Sequence, residues 1–314
     1  NDEKLRKVHE SALIAMLTAS AIKELRQTVL NFMVPLVRHY ILVAICQQSG
    51  PINSSGRTVR LHGMDPLVLI DAMTTVMGQE EKELCKPCQF VLRVIIETTT
   101  SVLGNIDRAC QLPLYEYILE RVCALCYERA WFSKYGGCIT VRYLFERMSL
   151  RWLFNHQFII LKAMLYVMMD LSGDLSSGVI EMAKDNMETM IKICGLPLTT
   201  AAQKDLHDLQ QKSMNDIVQE LLRQITSSNT AVREQAMYLL DVYSKTANCT
   251  ITDIIRPHKE MLEDMVPFKK QKLFQQPIQV QIGILDGNTF CITLEPQLFI
   301  IDTTINEHQI FFKW

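Results

Sequence analysis

From about residue 115 onward, apolar side chains return at intervals of three and four. Tyr115, Ile118, Leu119, Val122 and Cys126 trace one stripe along a helix, and Phe158, Leu161, Leu165 and Met168 trace another. Val179, Met182, Ala183, Met187, Met190, Ile191 and Cys194 form a third, after which Gly195 and Pro197 predict a stop by a left-handed cap and a ring clash. Met214, Ile217, Val218, Leu221, Leu222 and Ile225 follow, then the polar joint 227–229, which supplies an N-cap. Val232, Ala236, Leu239, Leu240 and Tyr243 make the next stripe, and Ile254, His258, Met261 and Leu262 the last. Taken in twos, these helices give hairpin units beginning near 115, 157 and 212. The first interval is close to the roughly 40 residues of a helical hairpin repeat. Such units bury their apolar faces only by stacking.

The first third is less regular but also helical, over about 2–28, 30–48, 65–78 and 81–103, with a loop at 47–66. A polar insertion is expected at 197–211. The exception to the helical pattern is 276–299, "QPIQVQIGILDGNTFCITLEPQLF". Its apolar residues are dense and β-branched, Pro277 and Pro296 fence it, and Asp286-Gly287 is a good two-residue turn. It predicts a β-hairpin or extended arm.

Composition agrees with packed helices: 48% of residues are apolar, with only 12 Gly and 10 Pro in 314. The chain starts at Asn1 and stops at Trp314 with neither end looking natural, which suggests a piece of something larger. A net charge of −2 with interspersed signs gives no broad basic face for nucleic acid. The patch 267–272, "PFKKQK", reads as a solvated loop. The most membrane-like run, 29–46, carries Asn31, Pro35, Arg38 and His39 near its middle, each costly in hydrocarbon, so a soluble protein is expected. Ten cysteines spread along a large core, with no signal peptide, read as reduced, buried thiols.

Three places invite a chemical reading. Gly136-Gly137-Cys138 could be a phosphate cradle or a reactive thiol. A cradle needs a preceding strand and usually a Lys-Ser/Thr, whereas helices flank this one. A nucleophilic cysteine needs a base, and His156, the nearest histidine along the chain, has no motif linking it. Cys138 shares a face with Val141, Phe145 and Met148. The glycines are therefore expected to allow close helix approach, with Trp131 and Tyr135 in the contact. Two Cys-x-x-Cys pairs, Cys85/Cys88 and Cys123/Cys126, could in principle supply four thiolates to zinc. The long interval between them, and the helical setting of the second, favour core positions. Residues 170–175, "DLSGDL", lack the oxygens of a calcium loop. The methionine-rich stretches 163–171 and 181–190 could form a peptide groove, but core filling is the favoured reading. No catalytic, cofactor-binding or metal-ligating residue is assigned.

The segment "SSNTAVREQAMYLLDVYSKT", 227–246, resembles the second helix of a HEAT repeat, as found in importins, phosphatase scaffolds and giant kinases. Longer strings are more specific. "CQLPLYEYILERVCALCYERAWFSKYGGCITVRYLFERM", "FIILKAMLYVMMDLSGDLSSGVIEMAK", "PHKEMLEDMVPFKK" and "QIGILDGNTFCITLEPQLF" resemble, in order, segments of the transformation/transcription domain-associated family, very large pseudokinases of the phosphatidylinositol-kinase-related group. Residues 1–109 match by general character, with "MDPLVLIDAM" the best piece. The resemblance implies an all-α fold, an α-solenoid with irregular helical repeats over 1–109, HEAT-like hairpins over 110–275, the arm at 276–299 and the start of a further helix at 300–314. It also implies a nuclear, non-catalytic scaffold in transcription regulation. This scaffold would be a co-activator segment offering surfaces to activators and to subunits of histone acetyltransferase complexes on chromatin. No cofactor, small-molecule substrate, membrane or sequence-specific nucleic acid is implied. The rival is a transport or adaptor solenoid of the importin type, which would want an acidic inner face that 231–245 does not supply.

Overall fold

The computed structural model of the chain describes residues 2–49, 65–171, 178–199, 205–265 and 273–294. Among the described residues, fourteen α-helices are joined by turns and short 3-10 segments, and no strand occurs. They are α1 (Asp2–Ala21), α2 (Lys23–Ser49), α3 (Val68–Met77), α4 (Cys85–Leu103), α5 (Ile106–Ala109), α6 (Pro113–Tyr127) and α7 (Trp131–Phe145). Then follow α8 (Leu150–Asp170), α9 (Val179–Gly195), α10 (His207–Gln224), α11 (Thr230–Ala247), α12 (Ile251–Ile255), α13 (Lys259–Met265) and α14 (Ile278–Leu294). The chain divides into two units, 1–186 and 187–314, with the boundary inside α9.

Local chemistry sets many of the boundaries. Pro113 opens α6 at a position where a missing N–H costs nothing. Ser149 caps α8 by accepting from the Trp152 amide at 3.3 Å, and Asn229 caps α11 by accepting from Val232 at 3.2 Å. Thr250 and Asp253 form a reciprocal capping box at α12. Gly104 ends α4 at φ +89°, and Asn248 ends α11 at φ +54°. The first two helices break at Ile22 rather than near 29, because Arg26 folds back to donate to the Ser20 and Ala21 carbonyls at 3.1 and 3.0 Å.

In the first unit, α3 lies at the centre. Val68, Leu69, Ile70, Ala72, Met73, Val76 and Met77 are all fully buried, and α1, α4, α6 and α7 pack around it. Burying each such aliphatic side chain is worth about 1.5–3 kcal/mol, so this one helix organises its neighbours. α6 and α7 form a hairpin through the short joint 128–130. Their expected stripes are buried, Tyr115 through Cys126 on one and Cys138, Val141, Phe145 and Met148 at and beyond the other. α2 holds a stretch, Lys23–Gln47, long and apolar enough to cross a membrane by length and composition. In this fold its Met33, Val37, Tyr40, Ile41, Ala44 and Ile45 are buried, and it packs on α1 and α4.

In the second unit, α10 and α11 form the other clear hairpin, with Leu221, Leu222, Ile225, Val232, Ala236, Leu239 and Leu240 buried. Gly195 closes α9 without positive φ, so the left-handed cap expected there is not formed. Packing explains this glycine instead, since a Cβ would lie 2.9 Å from the Tyr243 ring.

The main correction concerns 276–299. The expected hairpin or extended arm is a helix, α14, over its described part. Asp286-Gly287 is not a turn. Gly283 and Gly287 face the joint between α10 and α11 so closely that an added Cβ would stand 2.5 Å from the Ser227 oxygen and 2.6 Å from Thr226 Cγ2 respectively. Asp286 accepts from Arg233 Nε at 3.0 Å and pairs with Nη2 at 2.8 Å, while Arg233 Nη1 donates to the Ser227 carbonyl at 2.7 Å. Residues 300–314, most of the loop 47–66, 267–272, and parts of 170–175 and 197–211 lie outside the described residues.

Candidate functional site

Gly136 and Gly137 lie inside α7, each against a different neighbour. A Cβ on Gly136 would collide with the Met77 carbonyl at the end of α3. One on Gly137 would stand 2.6 Å from Cys126 Sγ and 3.2 Å from the Val122 oxygen on α6. These two residues are the points at which three helices meet backbone to backbone. Trp131 and Tyr135, expected in that contact, are not among the atoms nearest either glycine. They are half-buried and flank the Lys82 ammonium, whose nitrogen lies 5.2 and 4.9 Å from their ring centres.

Cys138 has no accessible surface, and its Sγ lies 3.8 Å from Met164 Sδ. Its carbonyl accepts from Asn186 Nδ2 at 2.8 Å. The His156 ring is engaged elsewhere, with Nδ1 2.6 Å from the Trp152 oxygen and Nε2 2.8 Å from both Glu116 carboxylate oxygens. The structure therefore does not bring the thiol and the imidazole together as a nucleophile and its base.

The Cys-x-x-Cys pairs are buried thiols. Burial raises Cys85 to about 11, and burial reinforced by its neighbour Cys85 holds Cys88 well above the ordinary thiol range. Burial likewise raises Cys123, and hydrogen bonding with Cys138 together with burial keeps Cys126 protonated. A thiolate is the species that binds metal or attacks carbon, so these environments work against both. Among the described residues, no group of three or more His, Cys, Asp or Glu is gathered to hold a metal ion.

The structure also reveals polar centres that the sequence reading missed. Asp71 sits on α3 and is nearly buried, yet three side chains converge on it. Tyr117 Oη donates at 2.6 Å, Arg121 Nε lies at 2.9 Å, and the Arg6 guanidinium reaches it from α1 while also donating to Asp65 at 2.9 Å. Burial, then the bond to Asp71, lifts the Tyr117 hydroxyl to about 12. This cluster ties α1, α3 and α6 through one carboxylate. Lys134 is stranger still, with a side chain 0% exposed. Its ammonium donates to the Cys126 carbonyl at 3.1 Å and to the Glu128 carbonyl, pairs with Asp170 at 2.8 Å, and lies 4.9 Å from the Tyr166 ring centre. It thereby satisfies carbonyls left free at the end of α6. An Asp in the middle of "PLVLIDAM" and a Lys two residues before a glycine pair were the available signals. Residue type alone assigns such positions to solvent.

A shallow surface depression in the second unit is lined by Ser244, Lys245, Asn248, Cys249, Thr250 and Asp253. Burial, then the negative charge of Asp253, raises the Cys249 thiol, and bonds from Thr250 lower the Asp253 carboxyl. The geometry throughout suits rigid packing, with reactive groups consumed in helix contacts.

Comparison with known proteins agrees in kind. A family profile described as the Tra1 HEAT repeat ring region matches residues 1–308. The chain is 48% identical over 312 residues to Transcription-associated protein 1 of Drosophila melanogaster and 44% identical over 326 aligned positions to the human Transformation/transcription domain-associated protein. In both cases the match covers 99% of this chain and 8% of the relative. The Saccharomyces cerevisiae protein named SAGA complex/NuA4 acetyltransferase complex subunit TRA1 is 21% identical over 298 residues, 92% of this chain and 8% of that one. The chain thus spans about one twelfth of the length of the relatives it matches.

Proposed function

The chain belongs to the Tra1 HEAT repeat ring family, and from that premise we propose that it is a non-catalytic scaffold segment of a transcription co-activator. Its work is mechanical and spatial. Stacked helical hairpins hold a surface on which subunits of a histone acetyltransferase assembly and transcription activators dock, raising their effective concentration near one another. The protein acts in the nucleus and makes protein contacts, without a substrate, a cofactor or sequence-specific contact to nucleic acid. Residues 1–109 and 110–275 are successive stretches of one repeat array. The observation that carries this reading is the match of residues 1–308 to the ring region, on a fold whose described regular structure is helical. The burial of the sequence's most reactive-looking groups, Cys138 and the two Cys-x-x-Cys pairs, supports the non-catalytic part.

The test is purification of the full-length protein containing this chain from nuclear extract, followed by a histone acetyltransferase assay and cross-linking mass spectrometry. Acetyltransferase activity should accompany the protein, and exposed lysines such as Lys7, Lys86 and Lys245 should cross-link to other subunits. A protein that purifies without acetyltransferase, or that instead exchanges cargo with a transport GTPase, would overturn the proposal.

A further inference from the structure

Three sulfur atoms meet inside the first unit. The Cys138 thiol on α7 donates to the Met164 thioether on α8 across 3.8 Å, and it is hydrogen-bonded to the Cys126 thiol on α6. All three residues are 0% exposed. Gly137 leaves room for the third sulfur, since a Cβ there would stand 2.6 Å from Cys126 Sγ. Asn186 on α9 borders the group. Its Nδ2 donates to the Cys138 carbonyl at 2.8 Å and lies 3.8 Å from Met164 Sδ, and its buried Oδ1 has no hydrogen-bond partner among the described residues.

Methionine brings a soft donor that a search for His, Cys, Asp and Glu clusters passes over. Thiolate and thioether sulfurs suit Cu+, whereas carboxylate and carbonyl oxygens suit Mg2+ and Ca2+. Sulfurs bound to one metal at about 2.3 Å stand about 3.8 Å apart in tetrahedral and about 4.0 Å apart in trigonal geometry. The Cys138 and Met164 sulfurs therefore already have the separation of two ligands on one ion. Burial penalises a bare thiolate, but a monovalent cation that takes the place of the thiol proton cancels the charge, as R–SH and Cu+ give R–S–Cu and H+.

We propose that Cys138, Met164 and Cys126 form a buried three-sulfur site for one Cu+ ion. The ion replaces the Cys138 proton, takes the Met164 and Cys126 sulfurs as its other ligands, and clasps α6, α7 and α8 together from inside. It is a structural clasp and takes no part in catalysis, so this inference stands apart from the co-activator reading. Because the sulfurs are sealed, loading waits on opening of the α6–α7 hairpin and is slow.

The test incubates the reduced 314-residue chain with Cu+ in the absence of oxygen, then washes it with a colorimetric Cu+ chelator. Retained copper, its X-ray absorption and the melting midpoint are measured. One Cu+ per chain should resist the chelator, with only sulfur neighbours at the copper and a raised midpoint. Met164→Leu, a swap that conserves volume and keeps the fold, should cut retention at least tenfold, and Cys138→Ser should do the same. Cys85→Ser combined with Cys88→Ser, Cys123→Ser, and Cys110→Ser, whose native thiol lies 3.6 Å from Met148 Sδ, should each leave retention unchanged. A chain that keeps no copper would overturn the proposal. So would retention that survives Met164→Leu, or that disappears with the Cys85/Cys88 double variant or with Cys123→Ser, because the copper then sits at a Cys-x-x-Cys pair.

Discussion

Replacing Gly136 with alanine places one methyl group where α7 meets α3. Helix propensity alone favours the change by about 1 kcal/mol. Crowding opposes it, because the atoms in the way are the carbonyl oxygen and carbon of Met77, backbone of a buried helix rather than the tip of a flexible side chain. Overpacking of this kind costs about 1–3 kcal/mol, and a rigid obstacle puts it at or beyond the top of that range. The net expectation is a loss of about 2 kcal/mol, which in a unit of this size lowers the melting midpoint by about 4–8 °C. Gly136→Leu should lose more. Two of the three tryptophans, Trp131 and Trp152, lie in the first unit, and Trp131 opens the same helix. Their fluorescence during thermal or urea unfolding therefore reports on the unit that the substitution touches. A Gly136→Ala protein with an unchanged or raised midpoint would refute the close-approach account of the two glycines.

Asp71→Asn should destabilise the first unit by about 1–3 kcal/mol in urea unfolding, less than for a fully enclosed pair because both guanidinium partners are part-exposed. His258 is kept neutral by burial, which lowers its pKa from the usual value. The unfolded chain therefore takes up the proton first as pH falls, and stability that is full above about 6.5 should decline below it, a slope that His258→Gln should flatten in melting curves from pH 7.5 to 5. Alkylation of the native protein should modify two thiols, Cys46 and Cys249, with the other eight reacting only in denaturant; mass spectrometry counts them, and a fast-reacting Cys138 would contradict the buried assignment.

How much of this was legible in the sequence depended on which residues faced inward. Where the buried face was aliphatic, as from Tyr115 to Cys126 or from Met214 to Ile225, periodicity named the core positions correctly. The Gly136-Gly137 contact was also readable, because two glycines inside a helical pattern need a reason. α14 reversed the usual relation. Its fully buried positions are glycine, asparagine and cysteine, while Ile278, Ile282 and Leu285 are exposed, so no single apolar stripe appeared and Asp286-Gly287 mimicked a hairpin turn. The Asp71 and Lys134 centres escaped for a related reason. A charge in a core position is explained only by partners distant in the chain, here Arg6, Arg121 and Asp170, which no local pattern announces.

Lys134 gives the molecule a memory of its own history. An amine sealed beneath the end of a helix is out of reach of any acylating reagent or enzyme for as long as the hairpin stays shut. Once acylated during a transient opening, it has lost its charge and gained bulk, and cannot return to its seat. A single peptide in a digest would then separate chains that have stayed closed since synthesis from chains that have, even once, come apart.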